Sequence, residues 1–451
     1  MGLLLVAGLA HAQDGAPAPD AGVQAEIERL QRELDRLRER VGAPPPDPPG
    51  GEEQASEEAG EGDGGSWTDE VRVGRFYIET TDEDYRLELR VRLHVDFRFT
   101  DRGVDDYQNS AEVRRGRLEL VGWLFGKDRL SYKLGFEFGR TGDADARDLY
   151  IELRVVDEAR VRVGQTLYPF STERLTSSNW MLHPERPIIV AQTVNQRDIG
   201  ALFHGEVAER LRWFVGAFNG AGENVRLDVD DDFDLAGRIE VQPLEELLLA
   251  ASYIYTPTDR RDGNTGPMDV FTVGGELTRF IDYAAGNRHR GRRERAEAGA
   301  RLRLEHVELK GEVILDYYRE VVSATGVEAN LLTVGWFVDL AYVVLGRRDE
   351  GKVEPDAPLF DPETDALGPG AFDFAVRYED WDTERRVLTD GFATGTDRVR
   401  ALTGTVHWYL WTHSRISASY TASLFEDAVT DSRGRSGHSD HTIIVRWTLW
   451  F

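Results

Sequence analysis

The sequence predicts an all-β protein: a transmembrane antiparallel β-barrel of about 16 strands, preceded by a short α-helical coiled coil. Three observations carry that expectation. From Arg86 to Phe99, Leu87, Leu89, Val91, Leu93, Val95, Phe97 and Phe99 alternate with seven residues that are all charged or histidine. A half-buried strand in a soluble sandwich runs ~5–6 residues, whereas one this long suits a tilted membrane strand. Connections between such segments alternate short (Asp157 to Ala159, Ala208 to Arg210, Trp411 to His413) and long (the Gly164 region, Asn219 to Asp232, Asp382 to Arg398). The chain also ends inside an alternating segment, Arg446-Trp447-Thr448-Leu449-Trp450-Phe451.

Composition narrows the partners. The 451 residues carry 54 basic and 81 acidic side chains, a formal charge of −27, so nucleic acid is not an expected partner. Lysine is confined to Lys127, Lys133, Lys310 and Lys352, so almost every cation is a guanidinium. Cysteine is absent, which removes disulfides, thiolate metal sites and cysteine nucleophiles. No run reaches the ~18 apolar residues of a membrane-spanning helix, a test to which an alternating barrel is blind.

Residues 1–12 read as a truncated signal peptide, an apolar run closed by Ala10-His11-Ala12. Over 22–42, Val23, Ile27, Leu30, Leu34, Leu37 and Val41 step by four and three, a heptad seam among Glu and Arg. Prolines then stop the helix, and 43–66 is a Pro-rich, acidic linker. The barrel is expected over 71–451. After the first strand, alternating segments recur at Leu130–Phe138, Leu149–Val155, Val161–Leu167, Ala201–Val207 and Leu211–Phe218. They continue at Leu247–Tyr255, Ala300–Leu304, Val307–Tyr317, Leu331–Leu345, Phe372–Tyr378, Leu402–Leu410, Ile416–Leu424 and Thr442–Phe451. Sixteen strands result if Leu331–Leu345 is one strand and Phe271–Phe280 is loop; otherwise the count moves to eighteen. Sixteen obliges Gly351 to Gly370 to be an unusually long connection on the short-turn side.

The stretch from Gly164 to Gly205 stands apart, with some thirty residues between two strands. Loops of that length are usually functional or disordered. Its prolines, aromatics and isolated charge pairs point to an ordered loop folded into something, and 168–196 is expected to fold inward.

No catalytic motif is present: neither a Gly-x-Ser-x-Gly elbow nor a His-Glu-x-x-His pair. No metal site or cofactor is expected. What stands out is arginine on the polar face of strands. Candidates are Arg90, Arg92 and Arg98 on the first strand, Arg114, Arg115 and Arg117 on the second, and Arg174, Arg186 and Arg197 around the long loop. Planar guanidinium forks match phosphate oxygens, and a lumen lined by them favours anions. Alternation with Leu118 and Leu120 turns Arg115 and Arg117 inward and leaves Arg114 outward unless a bulge lies there. The bland alternative is ordinary mixed lining, since each of these arginines has a carboxylate neighbour in sequence.

Pro169-Phe170, Glu173, Leu175, Ser177-Ser178, Glu185-Arg186 and Arg197-Asp198-Ile199-Gly200 resemble the long third loop of the phosphate/polyphosphate-selective porins (porin O and P). Arg114-Arg115-Gly116-Arg117 resembles the Arg-Arg pair opening that family's second strand. Gly335-Trp336-Phe337-Val338, Gly370-Ala371-Phe372 and Val406-His407-Trp408-Tyr409-Leu410 resemble its later strands, with His407 where the family has Asn. The resemblance covers roughly Val73 to Phe451. It implies a homotrimeric porin of a Gram-negative-type outer membrane, a passive, anion-preferring channel for small inorganic anions, with selectivity for phosphate or polyphosphate as the finer expectation. It also implies contact with outer-membrane lipid and lipopolysaccharide, and recognition by the barrel-assembly machinery through Phe451. The family's phosphate sites use Lys as well, and this chain has four in all. Two other functions fit the residues: an envelope tether with a largely plugged barrel, and a soluble periplasmic β-protein.

Overall fold

The computed structural model describes residues 71–73, 76–100, 109–127, 129–139, 144–193, 197–225, 232–257, 270–271, 278–349, 351–359, 367–431 and 434–451. The expected signal peptide (1–12), coiled coil (22–42) and linker (43–66) lie outside these residues.

Sixteen long strands form one closed sheet. They are β1 Arg86–Thr100, β2 Asn109–Leu124, β3 Leu130–Glu137, β4 Asp145–Val156, β5 Ala159–Leu167, β6 Arg197–Val207, β7 Leu211–Phe218 and β8 Asp234–Leu244. The circuit continues with β9 Leu247–Thr256, β10 Arg293–Arg303, β11 Val307–Val322, β12 Glu328–Leu345, β13 Ala371–Thr383, β14 Arg398–Trp411, β15 Ser414–Thr430 and β16 Ser436–Trp450. Each pairs antiparallel with the next. β16 returns to β1 from Thr442↔Thr100 to Trp450↔Arg92, which removes the sheet edge. Phe451 completes the seam through backbone bonds with Val91 (3.2 and 3.1 Å).

The alternation seen in the sequence sorts residues as a membrane barrel requires. Leu93, Phe97, Ile151, Val215, Leu340 and Trp447 face outward and exposed, whereas Arg295, Arg377 and Arg446 are among the most buried side chains. That is the inverse of a soluble protein, where charge goes outside. Short turns 157–158, 208–210, 245–246, 304–306 and 412–413 gather at one end, the turn end, and longer connections at the other, the loop end. The exception is 346–370 at the turn end, which holds a small hairpin (Arg347–Asp349 with Lys352–Glu354). Its Val353 is buried against Val343, Ala371 and Tyr409.

Three features depart from the sequence expectations. The strand at Asp234–Leu244 is a full barrel member that the alternation does not single out. β10 begins at Arg293 rather than Ala300, because its outward residues Ala296 and Ala298 are too small to stand out against Arg293, Arg295 and Glu297. Between β1 and β2 the register slips, with His94 opposite Arg115 and Val95 opposite Val113. Arg114 is the extra residue of this bulge, so it does not point to lipid.

The apolar core lies inside the lumen. Tyr168, Phe170, Ile188, Ile189 and Val190 of the long loop pack on Leu202, Phe218, Ile314, Phe337 and Trp381 of the wall. Phe280, Ile281 and Phe392 from neighbouring connections join them. Gly335 on β12 permits this approach, since a Cβ there would stand 2.5 Å from Ile189.

Candidate functional site: the lumen and its folded loop

Residues 168–193 enter the lumen because their polar backbone finds partners there. Two short helices, α1 Thr172–Leu175 and α2 Ile188–Thr193, each start against a wall carboxylate. Glu312 on β11 accepts from Ser171 Oγ (2.6 Å) and the Glu173 N–H (2.5 Å). Glu379 on β13 accepts from the Ile188 N–H (2.7 Å). Ser171 sits at φ 63° and caps α1 itself, its Oγ accepting from the Arg174 N–H (3.1 Å). Between the helices the chain runs through turns and bends, and its carbonyls would be orphaned away from water. Wall side chains satisfy them in series. Arg415 donates to Met181 O (3.1 Å), His407 Nε2 lies 2.9 Å from Leu182 O, Arg446 donates to Pro184 O, and Arg377 donates to Glu185 O (2.9 Å). These four residues come from β13–β16, so the loop lies against that side.

Glu185 fixes the loop electrostatically. Its carboxylate accepts from Arg98 (2.8 Å), Arg114 (3.1 Å) and Arg446 (2.8 Å). Burial alone would raise its pKa, but Arg114, Arg98 and Arg446 together hold it well below the usual carboxylate range. Arg446 also grips Asp96 bidentately (2.6 and 2.7 Å), as Arg377 does Asp339 (2.7 and 2.9 Å). His183 is buried with Nδ1 2.7 Å from Thr405 Oγ1. Burial, Arg377 and Lys310 keep it well below the ordinary imidazole value, so it is neutral.

Beside the loop, the inward face of β1–β6 is dense in guanidiniums. Arg92 stands directly opposite Arg117, and His94 opposite Arg115. Like charges paired this way repel. Arg117 is neutralised by Glu137 (2.9 Å) and Arg197 by Asp148 (2.7 Å), while Lys133 bridges Glu119 and Asp148 (both 3.0 Å). Three cations differ. Arg92 bonds Ser178 Oγ (3.0 Å), Arg115 reaches His94 Nδ1 (3.4 Å), and Arg186 donates to carbonyls of Glu173, Arg174 and Thr176. Among the described residues none of the three has a carboxylate within ion-pair distance. Burial lowers the Arg186 pKa, Glu173 and Glu185 oppose that, and Arg197 and Arg117 add to it. Arg174, bonded to Val190 O (2.8 Å), is pushed lower still by burial and by Arg186, Arg197 and Arg147. Arg92 and Arg115 on the wall and Arg186 on the loop thus carry positive charge without a carboxylate partner, an arrangement an anion between them relieves.

Of the nine arginines singled out in the sequence, Arg92, Arg115, Arg117, Arg174, Arg186 and Arg197 belong to this electropositive face. Arg98 and Arg114 anchor Glu185. Arg90 is exposed near the turn end and paired with Glu88 (2.6 Å). Sequence reasoning missed Lys133 and Arg147 on the same face, and Arg377, Arg415 and Arg446 beneath the loop. All five sit on the charged face of strands, so period-2 parity was the signal available. At the turn end a cavity of about 640 Å³ is lined by Glu152, Arg160, His204, Arg212 and Phe214.

Known proteins agree with this architecture. The sequence profile of the family described as phosphate-selective porin O and P matches residues 86–445. The outer-membrane channel DcaP of Acinetobacter baumannii superposes with a TM-score of 0.54 at 11% identity, covering 83% of this chain and 99% of that one. An anion-selective porin from Comamonas acidovorans gives 0.52 at 12%, covering 82% and 100%. OmpF of Salmonella typhi, in complex with daunomycin, gives 0.53 at 13%, covering 83% and 100%. At these identities the likeness is one of fold. A protein of Aquifex aeolicus described as uncharacterized is 25% identical over 191 residues, 35% of this chain and 46% of its own length.

Proposed function

Because the chain belongs to the phosphate-selective porin O and P family, we propose that it is a passive outer-membrane diffusion channel that prefers anions, inorganic phosphate among them. The observation that carries the preference is the trio Arg92, Arg115 and Arg186, held beside the folded loop without carboxylate partners among the described residues. A permeating anion sheds part of its hydration there and is compensated by fixed guanidiniums at low effective dielectric. Cations meet the same field as a barrier. The neighbouring ion pairs supply rigidity rather than selectivity, because their charges already cancel. Selectivity for phosphate over chloride follows from fork geometry, since two guanidiniums at different heights can each take two phosphate oxygens.

The deciding measurement is the reversal potential of single channels in planar bilayers under a KCl gradient, repeated with phosphate added. An anion-selective potential and a phosphate-dependent block of chloride current are expected. A cation-selective potential would refute the preference, and no conductance at all would favour the envelope tether with a plugged barrel. The functional assembly is proposed to be a homotrimer, as the family implies. Mass photometry of the detergent-solubilised protein should give three copies, and a stable monomer would count against it.

A further inference from the structure

One arginine-rich stretch is not used by the lumen. Gly286-Asn287-Arg288-His289-Arg290-Gly291-Arg292 leads into β10 and extends it beyond the loop end. Arg288↔Val322 and His289↔Val321 pair with the end of β11, and the Arg319 N–H donates to Arg292 O (3.0 Å). The register slips by one residue between Arg293↔Tyr318 and Arg288↔Val322, and burial sorts the residues, with the His289 ring 5.1 Å from that of Tyr318, which packs against the luminal core. Asn287, His289 and Arg295 are buried, while Arg288, Arg290 and Arg292 are exposed on the face that carries Ala298 and Ala300 lower down. That is the outside of the barrel.

Height can be read from β11. Its outward residues from Val307 through Leu309, Val313 and Leu315 are apolar until Tyr317. About ten residues at ~3.4 Å each, tilted ~40°, span ~26 Å, the height of a barrel's lipid band. Tyr317, with Tyr253 and Tyr255 on β9, makes the aromatic girdle at the upper edge; Glu294 lies opposite both Tyr255 and Tyr317. Arg319, Arg292, Arg290 and Arg288 stand immediately above, across the headgroup layer. Their charge is only partly matched. Glu294 accepts from both Arg319 (2.5 Å) and Arg292 (3.1 Å), so one carboxylate serves two guanidiniums. Among the described residues neither Arg288 nor Arg290 has a carboxylate within ion-pair distance. Glu320 lies beside them, its carbonyl accepting from the Arg290 N–H (3.1 Å).

We infer that Arg288, Arg290 and Arg292, continued by Arg319, form an external docking stripe for the phosphate groups of a phosphorylated glycolipid in the outer leaflet. Charge complementarity is the first reason: a guanidinium ladder is otherwise out of place on a chain of net charge −27. Position is the second, because the ladder begins where the lipid band ends. Fork geometry is the third, since guanidiniums spaced along a strand can each grip a phosphate monoester bidentately while the acyl chains lie on the apolar band below. Exposure to lipid keeps the stripe independent of the permeation path.

The test uses the full-length protein purified in detergent and titrated with bis-phosphorylated lipid A, bound lipid being counted by native mass spectrometry. The triple variant R288Q/R290Q/R292Q should bind at least tenfold more weakly, from the ~1 kcal/mol per basic residue typical near an anionic lipid surface. Removing three exposed turn-end arginines (R129Q/R210Q/R347Q) should change binding less than about twofold on the same scale. Dephosphorylated lipid A should bind the parent protein as weakly as bis-phosphorylated lipid A binds the loop-end variant. Equal losses in both triple variants, or equal binding of the dephosphorylated lipid, would overturn the inference. Displacement of lipid A by millimolar inorganic phosphate would reassign the stripe to gathering free anions. A changed oligomeric state with unchanged lipid binding would reassign it to contact between copies. Retention of the heat-modifiable folded band shows that a loss is not misfolding, and unaltered bilayer conductance separates it from failure of the channel assignment.

Discussion

Under the loop, Arg377, Arg415 and Arg446 on β13, β15 and β16 hand their N–H groups to loop carbonyls and to Asp339, Asp96 and Glu185. Next to them in the closed sheet, Arg92 and Arg115 on β1 and β2 have one side-chain partner each, a serine and a histidine. The residue type is the same and both sets point inward from strands. What differs is the company. Where a guanidinium meets carboxylates and backbone oxygens it orders the loop, and its field is cancelled a few ångströms away. Where it meets neutral groups the field persists into the opening. An arginine count along a lumen therefore says little about selectivity; the ratio of arginine to carboxylate on each wall says more.

The largest expected effect comes from removing what the first wall holds. Deleting residues 172–193, which contain both loop helices, should raise single-channel conductance severalfold while the strands remain paired. It should also erase most anion preference, because Arg186 leaves and the passage rehydrates. Unchanged conductance in bilayers would mean that the loop does not obstruct the path.

Next in size is the anchor. Glu185→Ala takes a carboxylate from Arg98 and Arg446, which keep Asp96, and leaves Arg114 without one, and breaking a mostly buried ion pair costs about 3–5 kcal/mol. The docked loop should become mobile, visible as current noise and as protease cleavage within 168–193. Acid should reproduce this only late. The Glu185 carboxylate has a folded-state pKa below its unfolded value of about 4.3, so its stabilisation is complete above that pH. It is lost only as pH falls through the depressed value. His183 is held neutral, so no transition is expected near pH 6.5 from that side chain. Noise from loss of the Glu185 anchor should therefore set in only below about pH 4, and its onset from Glu185 above about pH 5 would contradict this.

The cations without carboxylate partners, one on the wall and one on the loop, are tested by Arg115→Ala and Arg186→Ala. Each removes a charge with no carboxylate to release, so ~1.4 kcal/mol per site would lower the anion/cation permeability ratio about tenfold. Arg98→Ala should instead behave as a weaker Glu185→Ala, with noise rather than a reversal-potential shift.

This division explains what was legible beforehand. β1 was legible because large apolar residues alternate with charges, so parity alone oriented Arg92 and Arg98. The loop was legible by length and by its aromatics. β10 was not, because alanines hide the outward face. The bulge at Arg114 was foreseen only as a condition, since bulges are set by cross-strand register and not by local pattern. Which arginine is compensated was not legible at all. Glu185 meets Arg446 across 261 positions of chain, and Arg98 across 87. Every candidate had a carboxylate near it in sequence, yet strand parity sends sequence neighbours to opposite faces. Arg115 and Arg186 gained nothing from theirs.

The smallest effect, and the sharpest use of the comparison, comes from two arginines on one strand. Arg90 and Arg92 share the inward parity of β1, two positions apart. Arg90 is exposed near the turn end, with Glu88 at 2.6 Å. Arg92 sits one step deeper, bonded to Ser178 of the loop and opposite Arg117. If position along the strand and company decide the outcome, Arg90→Ala should leave the reversal potential unchanged. An exposed pair is worth only ~0–1 kcal/mol, and its field is screened within a Debye length of about 8–10 Å. Arg92→Ala should shift the potential toward cations, by less than Arg115→Ala, because the bond to Ser178 also helps seat the loop. Neutralising Glu88 supplies the control: Glu88→Gln frees Arg90 of its ion pair. If that variant became as anion-selective as an added constriction charge would make it, the narrow passage would have to extend to the turn end, and assigning selectivity to the level of the loop would be wrong.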